Sequence, residues 1–439
     1  MTRRTWAFLA VVALVGHGGC GDETLGTVGG DAADAIPVDT GGGDDTGAGA
    51  DTVAPDTVVA DTVIADTIVA DTADTVAPED TADTAVADTE TGEDTASVDV
   101  SDATTATDPC AGQADLPFAP TGATTPWRHS VATPLVLIQG AANHRGQDVV
   151  VAAGQPQRLV GKFAYGALDS DLHDEDVEIW VQREPRCGAW EHLGDYTTTE
   201  NDELGTVWGV EDDGGRVFFE VPASAALGVG RHPVRMLVKG DHTMAAFELI
   251  VVEPGTDAVV FDIDGTLTTG DSELLLELAA DLFSGSYVPA VQPGGVDVVR
   301  AWADKGYLVV YLTGRPDFLN GITRGWLVDQ GFPAGAVHLT DTNGQALPFD
   351  SGVGDYKAEF LDKEQGAEGG LVFAAAYGNA TTDIYGYDEA GVDKARTFII
   401  GDNAGADGTV AVDSYATHLP TAQAMPAATT PAPPSHGWW

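Results

Sequence analysis

The arrangement of apolar and polar positions changes twice along the chain. Between about residues 132 and 252, apolar residues form short runs of strand length, separated by Gly and Asp turns. Between about residues 256 and 419, apolar strand runs alternate with segments of helical spacing. The part before residue 110 has neither period. The pattern therefore predicts an all-β domain followed by an α/β domain.

The all-β region is predicted to be an antiparallel sandwich of immunoglobulin-like type, because short strands recur at close spacing. The expected strands are Pro134–Ile138, Arg158–Phe163, Val177–Gln182, Arg216–Val221, Val234–Val238 and Ala246–Val252. Lys239-Gly240-Asp241 has the composition of a hairpin turn between the last two strands. An acidic loop holding Asp169, Asp171, Asp174, Glu175 and Asp176 is either a cation site or a solvated turn.

The α/β region is predicted to contain a Rossmann-like parallel sheet covered by helices on both faces, because strands and helices alternate. The expected strands are Ala258–Ile263, Tyr307–Leu312, Leu371–Tyr377 and Thr397–Ile400, and the expected helices are Glu273–Phe283 and Leu319–Gln330.

The charge balance restricts the partners of this chain. Sixty-nine Asp and Glu oppose 20 Lys and Arg, giving a formal net charge of −49. This balance argues against nucleic acid, because phosphate backbones are bound by Lys and Arg. Between Arg4 and Arg128 there is no Lys or Arg, and the unit Ala-Asp-Thr recurs. Dense like charge without aromatic residues predicts a disordered acidic linker.

The first 20 residues have the layout of a secretory signal. Arg3 and Arg4 precede the apolar run Trp6–Val15, which is too short to span a bilayer, and small residues then lead to Cys20. This layout resembles a bacterial lipoprotein signal peptide, which implies lipidation of Cys20; plain export and a retained anchor are the alternatives. We therefore expect an exported protein at the cell envelope, periplasmic or on the outer surface, held to a membrane through a lipid anchor.

Two further cysteines are Cys110 and Cys187. In an exported protein they are candidates for a disulfide, and the alternative is two unrelated thiols, because sequence does not give the required geometry. The predicted organisation is a signal peptide at 1–20, a linker at 21–109, a β-sandwich domain at 110–254, a phosphatase-like domain at 255–420 and a disordered Pro- and Ala-rich tail at 421–439.

The strongest chemical signal is the segment Phe261–Thr268, which directly follows an apolar strand. Its two aspartates, Asp262 and Asp264, enter a glycine loop at the place where ligands gather in open α/β sheets. One carboxylate can attack phosphorus while the other handles the leaving-group proton. Because close carboxylates repel each other, a bound cation is expected beside them.

Further motifs follow in order, and together they resemble the haloacid dehalogenase-type phosphatase superfamily. They are Leu312–Arg315 after the second strand, Asp355–Lys357, and Gly378–Asp383 after a later strand. The resemblance implies catalytic roles for Asp262, Asp264, Thr313 and Lys357. It implies phosphate contacts from Gly265, Thr266, Gly314 and Arg315. It also implies a Mg²⁺ site formed by Asp262, the backbone carbonyl of Asp264, Asp383 and, as a helper, Asn379.

Within that superfamily the chain is most similar to lipin-type phosphatidate phosphatases. The matching segments are Asp262–Thr266, Ile322–Leu327 and Tyr377–Val392, although Thr313-Gly314-Arg315 stands where lipins have Ser-Ala-Arg. The resemblance implies a Mg²⁺-dependent phosphomonoester hydrolase with an aspartyl-phosphate intermediate, acting on phosphatidate or another membrane lipid. Two alternatives are a non-catalytic phosphatidate-sensing module, in which an aspartate of the first motif is usually lost, and a surface adhesion module.

Overall fold

The computed structural model describes residues 117–438, except residues 185, 187, 271–287, 342–344 and 346–351. The predicted signal peptide and linker lie outside the described residues. So do Cys20, Cys110, Cys187 and the expected helix Glu273–Phe283.

The first described domain is a β-sandwich preceded by a short helix, α1 (Ala132–Leu137). Its strands are β1 (Arg145–Gly146), β2 (Val149–Ala152), β3 (Arg158–Lys162), β4 (Ala164–Tyr165), β5 (Ser170–Asp171), β6 (Asp176–Gln182), β7 (Trp190–Thr197), β8 (Thr206–Val207), β9 (Val210–Glu211), β10 (Arg216–Glu220), β11 (Gly230–Val238) and β12 (Met244–Val252). A sheet of order β1-β3-β10 faces one of order β2-β12-β11-β6-β7. Only the β2–β12 pair within these two sheets is parallel.

The expected strand Pro134–Ile138 is wrong, because this segment lies in α1 and its cap. Five apolar residues in a row do not distinguish a strand from a helical turn. Proline is tolerated near a helix start, where its missing N–H needs no partner. The helix is fixed to the sandwich by Thr133, whose hydroxyl donates to Glu175 Oε1.

The acidic loop beside α1 is held by basic side chains of the same domain. Asp169 accepts two hydrogen bonds from Arg145, and Asp171 Oδ1 lies 2.8 Å from Lys162 Nζ. Asp174 pairs with Arg128, at 2.9 Å. These carboxylates are therefore structural ion-pair partners, and the loop takes the form of a charge-paired turn.

The second domain is an α/β domain whose described residues form a sheet of six parallel strands. The strands are β13 (Thr256–Phe261), β14 (Leu308–Pro316), β15 (Ala336–Thr340), β16 (Leu371–Gly378), β17 (Thr397–Ile400) and β18 (Val410–Val412), and the described helices are α2 (Gly295–Ala303), α3 (Asn320–Asp329), α4 (Gly352–Gln365), α5 (Thr381–Glu389) and α6 (Tyr415–Ala424). The sheet order is β15-β14-β13-β16-β17-β18. Strand β13 is central, so its carboxyl end opens at the middle of one sheet edge.

Apolar residues on both faces of this sheet explain its unbroken hydrophobic strands. In β13, Val259 and Phe261 pack with Trp302 and Tyr377 on one face. Ala258 and Val260 pack on the other face, in a cluster that also contains Ile250 and Val252 of the sandwich strand β12. The two domains therefore share part of one apolar core.

The tail that was expected to be disordered is packed against the α/β domain. Helix α6 continues to Ala424, and the backbone N–H groups of Thr429 and Thr430 donate to Asp257. The indole of Trp438 donates to the Phe332 carbonyl at 2.8 Å. A high Pro and Ala content was therefore misleading, because these small residues follow the domain surface and end in an aromatic anchor.

Side chains of the sandwich cover the outer edge of the α/β sheet. Among the strands that the structure describes, β15 pairs with β14 alone, and its other side faces Gln147 and Asp148. Asp148 Oδ2 accepts from the Val337 N–H at 2.8 Å, and the Gln147 amide bonds both the N–H and the carbonyl of Leu339. The sandwich thus supplies the hydrogen bonds that another strand would make.

Replacing Glu364 with Gln is expected to make stability less sensitive to alkaline pH. Glu364 on α4 is buried, and its Oε2 has no hydrogen-bond partner within the described residues. Burial raises its pKa from 4.5 to about 8. Because the folded pKa is the higher one, the stabilising contribution is fully present below pH 4.5 and is lost as the pH rises through 8. Above pH 8 the variant should gain roughly 2–4 kcal/mol over the wild type.

Urea unfolding at pH 5, 7 and 9 measures this difference. Glu359→Gln is the control, because Glu359 is exposed on the same helix. Equal pH slopes for the wild type and Glu364→Gln would contradict the expectation.

Candidate active site

Asp262 lies at the carboxyl end of the central strand β13, with 4% of its surface exposed. Its backbone N–H donates to the Tyr377 carbonyl of β16, which fixes the main chain at the sheet edge. Its Oδ1 accepts from Lys357 Nζ at 2.7 Å and its Oδ2 from the Thr266 hydroxyl at 2.8 Å. The carboxylate is therefore oriented at both oxygens.

Asp383 approaches from the first turn of α5 and is almost fully buried. Its Oδ2 accepts the backbone N–H groups of Asn379 and Ala380, both at 2.9 Å, and so caps the helix start. Gly378 is required for this approach, because a Cβ there would lie 2.5 Å from the Cβ of Asp383. The glycine before the acidic motif therefore has a steric reason.

Lys357 joins these two carboxylates from helix α4. Its buried ammonium lies 2.7 Å from Asp262 Oδ1 and 2.5 Å from Asp383 Oδ1. Burial acts to lower the pKa of Lys357, but the two carboxylates outweigh it and raise the pKa above its usual value. Burial, with the charge of Asp383 next, raises the pKa of Asp262 to about 7. The pair of carboxylates thus carries more negative charge than one lysine offsets.

The second aspartate of the motif, Asp264, is engaged by an arginine. Arg315, which is 1% exposed, donates from Nε to Asp264 Oδ2 at 2.8 Å and from Nη2 to Oδ1 at 2.7 Å. The hydroxyl of Thr313 lies 3.2 Å from Asp264 Oδ2. This two-pronged geometry is the strong form of an Arg–carboxylate pair. Both oxygens of Asp264 therefore accept hydrogen bonds from Arg315, which was predicted to contact phosphate, and one also from Thr313, which was predicted to be catalytic.

The remaining predicted phosphate contacts surround the same sheet edge. Gly265 has a positive φ of 73° and donates its N–H to the Thr268 hydroxyl. The Thr266 hydroxyl is within 3.2 Å of the Asn379 side-chain oxygen as well as bonded to Asp262. Gly314 lies against Val353 of α4. All the predicted site residues of this domain are thus gathered at one edge, and their phosphate contacts stay predictions.

The possible metal ligands at this end of the sheet are oxygen atoms, which hard cations prefer. No group of three or more His, Cys, Asp or Glu within the described residues has the arrangement of a metal site. Three carboxylates, Asp262, Asp264 and Asp383, nevertheless face two cations, Lys357 and Arg315. Two carboxylates with backbone and amide oxygens form the oxygen-only donor set that Mg²⁺ prefers. The residues therefore fit Mg²⁺ if Lys357 yields part of its contact with the two aspartates.

Two supporting contacts were not predicted from the sequence. Asn403, in the loop after β17, donates its amide to the Asn379 carbonyl at 2.8 Å. Tyr387 of α5 donates its hydroxyl to the Tyr377 carbonyl at 2.8 Å. The Gly401-Asp402-Asn403 sequence after an apolar strand is a signal that would have found the first. The second follows only once α5 is known to pack over β16.

Family models match both described domains. Residues 142–251 match the PITM 1-3 beta-sandwich domain and residues 259–401 match the PITM 1-3 LNS2 domain. The LNS2 domain is lipin-like and related to the haloacid dehalogenase-type phosphatase fold. The predicted fold class is therefore confirmed, and the predicted resemblance is confirmed in this coarser form.

Several curated proteins are similar to this chain over the same region. Membrane-associated phosphatidylinositol transfer protein 1 of Rattus norvegicus is 40% identical over 262 residues, 59% of this chain and 18% of that protein. Protein retinal degeneration B of Drosophila melanogaster is 35% identical over 67% of this chain and 21% of that protein. Membrane-associated phosphatidylinositol transfer protein 3 of Homo sapiens is 38% identical over 61% of this chain and 24% of that protein.

The chain thus spans about a fifth of the length of these relatives. None of the helices in the described part of the chain combines the length and the apolar character that crossing a bilayer requires.

Proposed function

We propose, from the match of residues 259–401 to an LNS2 domain and from the geometry at the β13 edge, that this protein is a Mg²⁺-dependent phosphomonoesterase acting on a phosphate-bearing membrane lipid. The observation that carries the proposal is the position of Lys357, whose ammonium contacts both Asp262 and Asp383 within 2.7 Å. A buried ammonium between two carboxylates at a strand end has the arrangement needed to orient a nucleophile and to offset phosphoryl charge.

Each residue has a distinct part in this reaction. An oxygen of Asp262 bonds to phosphorus as the P–O bond to the leaving alkoxide breaks. Asp264, as the acid, gives its proton to that alkoxide, and its carboxylate then takes a proton from the water that hydrolyses the aspartyl-phosphate. Thr313 and Lys357 donate hydrogen bonds to the transferring oxygens. The reaction therefore needs Arg315 to release Asp264, and the incoming phosphate is the natural new partner of this guanidinium.

Mg²⁺ would be held by Asp262, Asp383 and the Asp264 carbonyl, with Asn379 as a helper. When bound, it would supply charge neutralisation for the phosphoryl oxygens. The surplus of carboxylates over cations supports this requirement.

A lipid substrate is supported by the relatives rather than by the site. Their names assign membrane association and phosphatidylinositol transfer to those proteins, and we carry over only the lipid class. Phosphatidate, a phosphomonoester, is the lipid that suits an aspartate nucleophile. Export, and attachment of the chain to the cell envelope through Cys20, remain part of the proposal.

The second candidate is phospholipid recognition without hydrolysis. It is favoured by the pairing of Asp264 with Arg315, because a carboxylate held at both oxygens is not available for proton transfer. In this version the phosphate is bound beside Thr313 and Lys357, and Arg315 does not leave Asp264. The presence of both Asp262 and Asp264 favours the enzyme.

The test is phosphate release by the full chain from phosphatidate in mixed micelles and from para-nitrophenyl phosphate. Release in Mg²⁺ should exceed release in EDTA by at least about 100-fold. The Asp362→Asn variant should keep the wild-type rate, because this exposed residue on α4 lies outside the site, and it is the control for substitutions of the site aspartates. Binding to phosphatidate vesicles without release would select the second candidate, and neither binding nor release would overturn both.

A further inference from the structure

Residues 313–319, at the end of β14 and in the turn that follows it, belong to the candidate site at one end and contact the sandwich at the other. Arg315 donates two hydrogen bonds to Asp264. Two residues later, the carboxylate of Asp317 turns toward the sandwich and accepts from Arg145 Nη2 at 3.0 Å. Pro316, with φ −63° and ψ 147°, is the only residue between Arg315 and Asp317. Because proline fixes φ, a shift of Asp317 is passed to Arg315 with little room for compensation.

Arg145 is itself held firmly within the sandwich. Its guanidinium is 5% exposed and makes a two-pronged pair with Asp169, at 2.8 and 2.6 Å. It also donates to the Asn143 carbonyl at 3.0 Å. The position of Arg145 is thus fixed by contacts within the sandwich. The hydrogen bond from Arg145 in turn fixes the position of Asp317.

Two neighbouring contacts also hold this segment against the sandwich. Asn143 donates its amide to the Phe318 carbonyl at 3.2 Å. Arg216, on β10, lies 3.9 Å from Asp317 Oδ2. Within the described residues, Asp317 is therefore surrounded by basic side chains of the sandwich rather than of its own domain.

We infer that Arg145 is a positioning residue for the candidate site: through Asp317 and Pro316, the β-sandwich sets the position of Arg315 and hence of its contact with Asp264. The effect on phosphate binding rests on the proposed function, whereas the effect on Arg315 does not. Without Arg145, the buried carboxylate of Asp317 and the half-buried carboxylate of Asp169 lose their common cation, and Asp317 moves toward water. A displacement of about 1 Å is enough to spoil a two-pronged contact at the site.

The experiment compares Arg145→Met with Arg231→Met in the full chain. Arg231 is a matched control, because it is also buried, pairs with Glu248 and donates across the domain boundary to the Ala334 carbonyl. Ala334 precedes β15 and therefore lies at the amino ends of the parallel strands, whereas the site lies at their carboxyl ends. Both variants lose a buried inter-domain arginine, and only Arg145 contacts the segment 313–319.

Three readouts are measured: the Nε–Hε signal of Arg315 by NMR, amide exchange of residues 313–319, and binding of orthophosphate with Mg²⁺ by calorimetry. In Arg145→Met we expect the Arg315 signal to shift or broaden, the amides to lose protection, and orthophosphate to bind about tenfold more weakly or worse. Arg145→Lys should recover part of each, because the charge is kept. Arg231→Met should lower thermal stability and leave all three readouts unchanged.

The inference is overturned if the Arg315 signal and the amides are unchanged in folded Arg145→Met, or if Arg231→Met disturbs them equally. If the wild type does not bind orthophosphate, the proposed function fails, and the first two readouts still decide the role of Arg145.

Discussion

Replacing Asp262 with Asn is expected to lower Mg²⁺-dependent phosphate release by roughly 10³-fold or more, because the amide cannot attack phosphorus. The geometry of the site should survive, since Asn keeps the shape of Asp and an oxygen for the hydrogen bond from Thr266 or Lys357. Release of orthophosphate from phosphatidate micelles, with the variant and the wild type at equal concentration, measures the effect.

The Asp262→Asn substitution is expected to lower the rate of phosphate release without lowering the stability of the fold. Burial already disfavours the ionised form of Asp262, whose pKa is raised to about 7. Removing this charge should therefore leave the melting temperature unchanged or higher, provided that Lys357 keeps its contact with Asp383. A variant that is fully folded and retains the wild-type rate would show that another group attacks phosphorus.

Replacing Lys357 with Met is expected to lower the free energy of unfolding by about 3–5 kcal/mol in EDTA, because two buried carboxylates lose the cation between them. Phosphate release should fall by about 10²–10³-fold, the usual cost of removing one preorganised donor. Urea unfolding in EDTA and in Mg²⁺ measures the first effect. Mg²⁺ should restore more stability to the variant than it adds to the wild type, since it supplies the missing positive charge.

Lys363→Met is the matched control for this prediction. Lys363 lies on the same helix, is exposed, and is not part of the site. If Lys357→Met loses no more stability than Lys363→Met, the ammonium does not hold the two carboxylates together in solution.

The parts of the fold that could be predicted from sequence are those that local patterns determine. Strand β13 is buried on both faces, so its residues read as one apolar run, and Asp262 marks its end. Gly378 ends β16 and Asp383 follows it, and the parallel sheet brings both to the carboxyl ends of the strands. These residues could therefore be identified together without coordinates.

Other features depend on contacts between distant parts of the chain. Helix α4 was not predicted, because its sequence mixes Gly, Asp and Lys with few apolar residues, and only packing against α5 and β14 orders it. The pairing of Asp264 with Arg315 joins residues 51 apart, and that of Arg324 with Asp148 joins residues 176 apart. Arg324 had been placed in a lipin-like segment, and the structure assigns it to the domain boundary.

The side chains of the sandwich that bond the backbone of strand β15 affect how the α/β domain would behave without the sandwich. Gln147 and Asp148 occupy the backbone groups of an edge strand that would otherwise be open to pairing with another molecule. Such an edge, left bare, is a template for aggregation. The linker between the domains is only three residues long, from β12 to β13. The sandwich therefore covers an edge at which the α/β domain alone would be open to self-association, and the two domains are expected to fold as one unit.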